Sequence, residues 1–163
     1  MRTGPILILT TGGTIDKHYF DSLSKYQIVD TVVRELLAIA RVTHHYSLEE
    51  ILRKDSLDLT EDDRACLVDH VRRAEASRIV MTHGTDTMTL TASALSVIPD
   101  KTIVLTGALA PARFSESDAA FNLGMAFPTV QIAPPGVYIT INGSVFRADK
   151  VIKDRTLGRF ILK

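Results

Sequence analysis

Residues 6–14 read Ile-Leu-Ile-Leu-Thr-Thr-Gly-Gly-Thr, and this stretch decides the fold. Four consecutive apolar residues leave no polar face, so Ile6, Leu7, Ile8 and Leu9 read as a strand covered on both sides, the usual condition of a parallel sheet. Such a strand ends in a loop, and Thr11-Gly12-Gly13 supplies one. Paired glycines allow positive φ and let backbone amides approach a ligand closely.

The same pattern recurs along the chain. Residues 79–82 form an apolar run ending at His83-Gly84-Thr85-Asp86, residues 102–105 stop at Thr106-Gly107, and residues 137–141 end at Asn142-Gly143. Helical periods lie between these runs. Residues 29–40 place Val32, Val33, Leu36, Leu37 and Ala40 on one face. Thr60 reads as the N-cap of a helix reaching about Ala76, with Glu61, Asp62 and Asp63 in a first turn that favours negative charge. Two further helices are expected over residues 87–97 and 117–127, the latter capped by Ser115 or Ser117. Residues 41–46 read as a strand, and residues 145–163 as irregular structure or short strands. This alternation predicts an α/β fold with a doubly wound, mostly parallel sheet and helices on both faces, Rossmann-like or flavodoxin-like, in a single domain. Ligands bind such sheets outside the carboxyl ends of the strands, where the glycine loops lie.

Composition narrows the function classes. The 163 residues are 45% apolar and 23% charged, as in ordinary globular chains. Nineteen basic residues balance nineteen acidic ones, which gives no electrostatic reason to expect nucleic acid or a membrane as partner. A net charge near zero also permits self-association. The lone cysteine, Cys66, precludes an intramolecular disulfide and is expected to be a buried apolar residue of its helix. The apolar stretch after Met1 is too short for a signal peptide and no run is long enough to span a membrane, so a cytoplasmic location is expected.

Two loops carry the candidate chemistry. In the first, the hydroxyl of Thr14 directly follows the paired glycines, as an exposed nucleophile would, although a plain strand-to-loop turn explains the pattern as well. In the second, Thr82-His83-Gly84-Thr85-Asp86-Thr87-Met88 stands at a strand-to-helix junction, with Thr85 offering a hydroxyl and Asp86 either capping the helix or holding an amino group. His83 is expected to order its loop rather than act as a base. No phosphate-binding glycine motif occurs, and His44-His45 lacks the spacing of a metal site.

These motifs resemble the two signatures of the bacterial-type L-asparaginase family. The similarity continues through Lys54-Asp55-Ser56-Leu57-Asp58, Leu105-Thr106-Gly107-Ala108, Asn122 and Val151-Ile152-Lys153. It covers residues 1–163 as the amino-terminal catalytic domain of a usually two-domain protein. The resemblance implies an amidohydrolase that converts L-asparagine to L-aspartate and ammonia, with no cofactor and no metal. It implies Thr14 as nucleophile, Thr85 as second active-site threonine, Lys153 as the group activating Thr85, and Asp86 as the substrate-binding aspartate. Ser56 would hold the substrate carboxylate, with Asp55, Gly84, Thr85 and Asp86 around it. A tyrosine on a mobile loop would support Thr14; Tyr19 is favoured for its nearness to the motif, and Tyr26 is the other candidate.

The sequence departs from the family pattern in places. Asp16 stands where a small residue is usual, Arg78 where a glycine precedes the second motif, and Leu57 where many members carry a polar residue. The carboxy-terminal domain that helps build the family dimer and lends a partner to the substrate amino group has no counterpart in these residues. A homodimer or larger homo-oligomer is therefore expected to supply the missing contacts. The alternatives are a glutaminase or ammonia-delivering amidotransferase subunit, and a non-catalytic amino acid sensor.

Overall fold

A computed structural model of the chain describes residues 4–163; the opening three residues, part of the stretch read as lacking a leader, lie outside it. In chain order the elements begin with β1 (Ile6–Gly12), the hairpin strands β2 (Lys17–Phe20) and β3 (Lys25–Ile28), α1 (Val33–Ile39) and β4 (Tyr46–Lys54). They continue with α2 (Glu61–Arg73), β5 (Arg78–Thr82), α3 (Met88–Leu95), β6 (Thr102–Thr106) and α4 (Ala119–Ile132). The chain ends with β7 (Gly136–Ile141), β8 (Ser144–Arg147), β9 (Val151–Asp154) and β10 (Arg159–Leu162).

The central sheet has the order β4-β1-β5-β6-β7-β8, parallel except for β8. Counting only its parallel members, the order is 2-1-3-4-5, the flavodoxin-like winding, with the topological switch between β1 and β5. Side-chain alternation divides the core. Ile6, Ile8, Val80 and Val104 pack under α1 and α4, while Leu7, Leu9, Ile79, Met81, Ile103 and Leu105 pack under α2 and α3. The expected doubly wound sheet is thus observed. At its carboxyl edge, Thr10, Thr82, Thr106 and Thr140 stand in register across four strands, all buried.

Four expectations require correction. The strand expected at 41–46 lies instead at Tyr46–Lys54. It is an edge strand, and a bulge opposite Thr10–Gly12 breaks its alternation, which hides it from a periodicity reading. Helix α1 starts at Val33 rather than residue 29, because the preceding backbone is bound to Asp16. Helix α4 runs beyond residue 127, through Pro128 to Ile132; proline forfeits one backbone bond, but Thr129 and Val130 behind it are buried. The side chain of Asp118, its N-cap residue, is engaged elsewhere, and Ser117 Oγ accepts from the Ala119 amide. Finally, Cys66 is exposed. The buried stripe of α2 runs through Arg64, Leu67 and Val71, and Cys66 lies one position off it. By contrast, Thr60 and Asp63 form a complete capping box at the start of α2, as Thr60 was expected to do.

Candidate active site

The first glycine loop leaves β1 with Gly12 at φ 93° and Gly13 at φ 85°, conformations that a side chain would strain. A Cβ on Gly13 would lie 2.5 Å from the Gly84 nitrogen, and a Cβ on Gly84 would lie 2.6 Å from Ser56 Cβ and Oγ. The absence of side chains at these positions is what lets three loops, from β1, β4 and β5, meet at the switch point. Hydrogen bonds complete the junction: the Gly13 amide donates to the Lys54 carbonyl at 3.0 Å, and Thr87 Oγ1 donates to the Ser56 carbonyl at 2.7 Å.

Thr14 opens a short 3-10 turn, Thr14–Asp16, and is partly exposed. Ile15 beside it is buried against Val32, Ala108 and Ala119, which fixes the turn so that Thr14 faces outward. Across the junction Thr85 is 6% exposed. Lys153 Nζ donates to Thr85 Oγ1 at 2.7 Å and to Asp86 Oδ1 at 2.6 Å. The hairpin β9–β10 delivers this lysine. Val151 and Phe160 anchor the hairpin in the core, and Lys153, two residues beyond Val151 on the same strand face, turns toward the site.

Ser56 Oγ is buried and has no hydrogen-bond partner among the described residues, which leaves it a donor and an acceptor for a ligand. Asp55 accepts from the Leu57 amide at 3.1 Å and pairs with Lys17 at 2.6 Å. Burial raises its carboxyl, but Lys17 and the Leu57 amide outweigh that effect and hold it below the ordinary carboxylate value. The Leu57 side chain itself is exposed.

His83 is fully buried, which lowers its pKa to about 4 and keeps the ring neutral. Its Nδ1 donates to the Gly84 carbonyl at 2.7 Å, so Nε2 accepts from Thr91 Oγ1 at 2.8 Å. Both nitrogens are occupied in ordering the loop, as expected. Tyr19 and Tyr26 are cross-strand partners on the β2–β3 hairpin, with rings 5.1 Å apart, and Tyr26 leans on Phe114. Neither phenol is hydrogen-bonded to Thr14 among the described residues.

The sequence reading missed two features. Lys17 carries no motif, so its pairing with Asp55 had no signal. Asp16 was noted only as a departure, yet its carboxylate binds the Val32 amide at 3.1 Å. Asn122 stood out in the sequence only as a position at which the family resemblance continues. It donates to the Gly107 carbonyl at 2.9 Å and accepts from the Asn142 amide at 3.2 Å, tying together the loops after β6 and β7. Among the described residues no cluster of three or more His, Cys, Asp or Glu side chains is placed to hold a metal ion. A recess of about 850 Å³ lined by Leu7, Ser47, Cys66 and His70 lies at the amino-terminal end of the strands, away from these loops.

Winding and site together define a flavodoxin-like α/β protein with a threonine, lysine and aspartate centre at its switch point. The chain belongs to the asparaginase family: the family profile "Asparaginase, N-terminal" matches residues 5–160. It is 32% identical over 159 residues to an L-asparaginase from Thermococcus kodakarensis, covering 94% of this chain and 48% of that protein. It is 30% identical over 166 residues to a glutaminase-asparaginase from Acinetobacter glutaminasificans, covering 91% of this chain and 49% of that protein. The solved structure of the thermostable L-asparaginase from Thermococcus kodakarensis superposes with a TM-score of 0.84 at 29% identity, covering 98% of this chain and 51% of that one. The chain thus spans about half the length of these relatives.

Proposed function

We propose that the chain is the catalytic domain of an amidohydrolase that converts L-asparagine to L-aspartate and ammonia. The observation that carries this reading is the Lys153–Thr85–Asp86 cluster, held against the Thr14 loop by the Gly13–Gly84 contact. Thr14 Oγ attacks the side-chain amide carbon. The C–N bond then breaks, nitrogen leaves as ammonia carrying the hydroxyl proton, and an aspartyl ester remains on Thr14. Water cleaves the ester, releasing aspartate and restoring the hydroxyl. Lys153 orients Thr85 Oγ1, whose hydroxyl takes up the Thr14 proton while passing its own to the leaving nitrogen, and such placed proton-handling groups contribute roughly 10²- to 10⁴-fold. Asp86 receives the substrate α-amino group, and Ser56 Oγ its α-carboxylate. Backbone amides of the glycine loops face the tetrahedral oxyanion, where loss of one donor costs about 10²- to 10³-fold. Tyr19 on the hairpin, or Tyr26 opposite it, is the phenol that would swing in to support Thr14.

The deciding experiment is ammonia release with L-asparagine, L-glutamine and D-asparagine side by side, for the wild type and Thr14→Ala. Turnover of L-asparagine that disappears in Thr14→Ala supports the reading, and undiminished turnover in the variant removes it. Glutamine is the second substrate to consider, because the Acinetobacter relative is named a glutaminase-asparaginase. A homodimer or larger homo-oligomer is proposed; sedimentation of a fully active monomer would exclude it. An exposed free thiol at Cys66 favours a reducing, cytoplasmic setting, and no described helix is long and apolar enough to cross a membrane.

A further inference from the structure

We propose that Asp16 is the positioning residue of this site: its buried side chain and backbone clamp the base of the β2–β3 hairpin and so fix the turn that presents Thr14. The proposal rests on the reading of Thr14 as nucleophile. Asp16 is 1% exposed and closes the Thr14–Asp16 turn. Its amide donates to the Gly13 carbonyl at 3.2 Å, its carbonyl accepts from the Val29 amide at 3.1 Å, and its Oδ1 accepts from the Val32 amide at 3.1 Å. One residue therefore binds the glycine loop on one side and the returning chain on the other. The hairpin, residues 17–28, departs and returns between these bonds.

Everything the hairpin carries stands on this base. Lys17, the next residue, pairs with Asp55 beside Ser56, and Tyr19 faces Tyr26, which leans on Phe114. The outer hairpin has little packing of its own; residues 21–27 are all exposed. A segment so poorly buried opens at low free energy unless its ends are tied. Asp16 ties them at a real expense. Burial raises its pKa against the Val32 amide, the Thr31 hydroxyl and the Arg113 charge, which favour the anion, while Glu50 opposes it. A buried carboxylate that is costly to ionise, standing where the family resemblance calls for a small residue, has to be offset by what it holds.

The test compares Asp16→Ala, which removes the acceptor, with Asp16→Asn, which keeps an acceptor oxygen without the charge. Amide hydrogen exchange is followed over residues 17–32, and kcat and KM are measured with L-asparagine. In Asp16→Ala, exchange at Val29 and Val32 should accelerate at least about tenfold, and kcat should fall about 10- to 100-fold with KM changed less, because misplacement by about an ångström costs up to 10²-fold. Asp16→Asn should recover at least about tenfold of that exchange protection. Unchanged exchange in Asp16→Ala, or an Asn variant as loose as the Ala variant, overturns the clamp. Accelerated exchange with wild-type kcat overturns the positioning role while leaving Thr14 as nucleophile intact, and undiminished turnover in Thr14→Ala fails that reading separately. Should Asp16→Ala not fold, the wild type decides: its Val29 and Val32 amides must exchange more slowly than those of the hairpin tip, Asp21–Leu23, and equal rates overturn the clamp.

Discussion

Lys153 and Thr85 are joined by a 2.7 Å hydrogen bond across 68 positions of sequence. The bond unites the last hairpin of the chain with the loop after β5, and it separates catalysis from stability. Lys153→Met removes the donor that Lys153 presents to Thr85 Oγ1 while keeping the length of the stem. We expect kcat for ammonia release to fall about 10²- to 10⁴-fold. Lys153→Arg should fall nearly as far, since a planar fork cannot replace a compact ammonium between two oxygens. Asp86 is partly exposed, with 37% of its side chain accessible, so losing its partner should change unfolding free energy by no more than about 1 kcal/mol. A urea titration beside the kinetics checks both parts.

The packing of Gly84 on Ser56 makes a second prediction. A Cβ at Gly84 would collide with Ser56 Cβ at 2.6 Å, and overpacking of this kind costs roughly 1–3 kcal/mol. Gly84→Ala should therefore lower the melting temperature and displace the 56–58 turn. Adding Ser56→Gly removes the colliding atoms, so the double variant should melt above Gly84→Ala alone. A double variant that melts lower, by the sum of two independent losses, would show that the two positions do not interact. Gly13→Ala offers no such rescue, because its Cβ would meet backbone and its φ is 85°.

Where burial was complete, the chain could be read directly. β1, β5, β6 and β7 are covered on both faces, so their apolar runs are continuous and their glycine exits are conspicuous. Legibility fell wherever one side faces solvent. β4 is an edge strand with a bulge, and Glu49, Glu50, Arg53 and Lys54 interrupt its pattern. The β2–β3 hairpin is mostly exposed and shows no alternation between apolar and polar residues. In the candidate site, Thr14, Thr85 and Asp86 stand out in the sequence because each follows a glycine exit. Lys153 was placed only by resemblance, since nothing in its short strand tells which loop it will meet. The Lys17–Asp55 pair is invisible in sequence because it joins two loops whose proximity depends on the assembled sheet.

Burial of His83 gives stability a definite pH dependence. Its folded pKa of about 4 lies below the ordinary 6.5, so the unfolded chain binds the proton more readily. Stability from this group is fully present above pH 6.5 and is lost as pH falls from 6.5 to about 4, amounting to about 3 kcal/mol. The window is clear of Asp55 and Asp63, whose lowered values act below the carboxylate reference of 3.8. Asp16 works in the opposite sense, because its raised pKa makes stability fall as pH rises through the folded value. Urea unfolding at several pH values between 7.5 and 4.5 should show the decline, and His83→Gln should flatten it. An equal slope in the variant would assign the decline to another group.

The threonine row beneath the loops makes the last prediction, which turns on sign. Thr82 and Thr140 are fully buried, and their hydroxyls have no hydrogen-bond partner among the described residues. Thr106, in register between them, donates its hydroxyl to the Thr140 carbonyl at 2.8 Å. Valine keeps the shape and replaces the hydroxyl with a methyl. An unsatisfied buried hydroxyl costs about 1–3 kcal/mol, whereas a satisfied one contributes about 1 kcal/mol. Thr82→Val and Thr140→Val should therefore hold or raise the unfolding free energy, while Thr106→Val should lower it by about 1 kcal/mol. Denaturant titration of the three variants reads the contrast directly. If Thr82→Val loses as much as Thr106→Val, the Thr82 hydroxyl is bonded in solution, and the row is a polar layer under the glycine loops rather than a strand end tolerating spare hydroxyls.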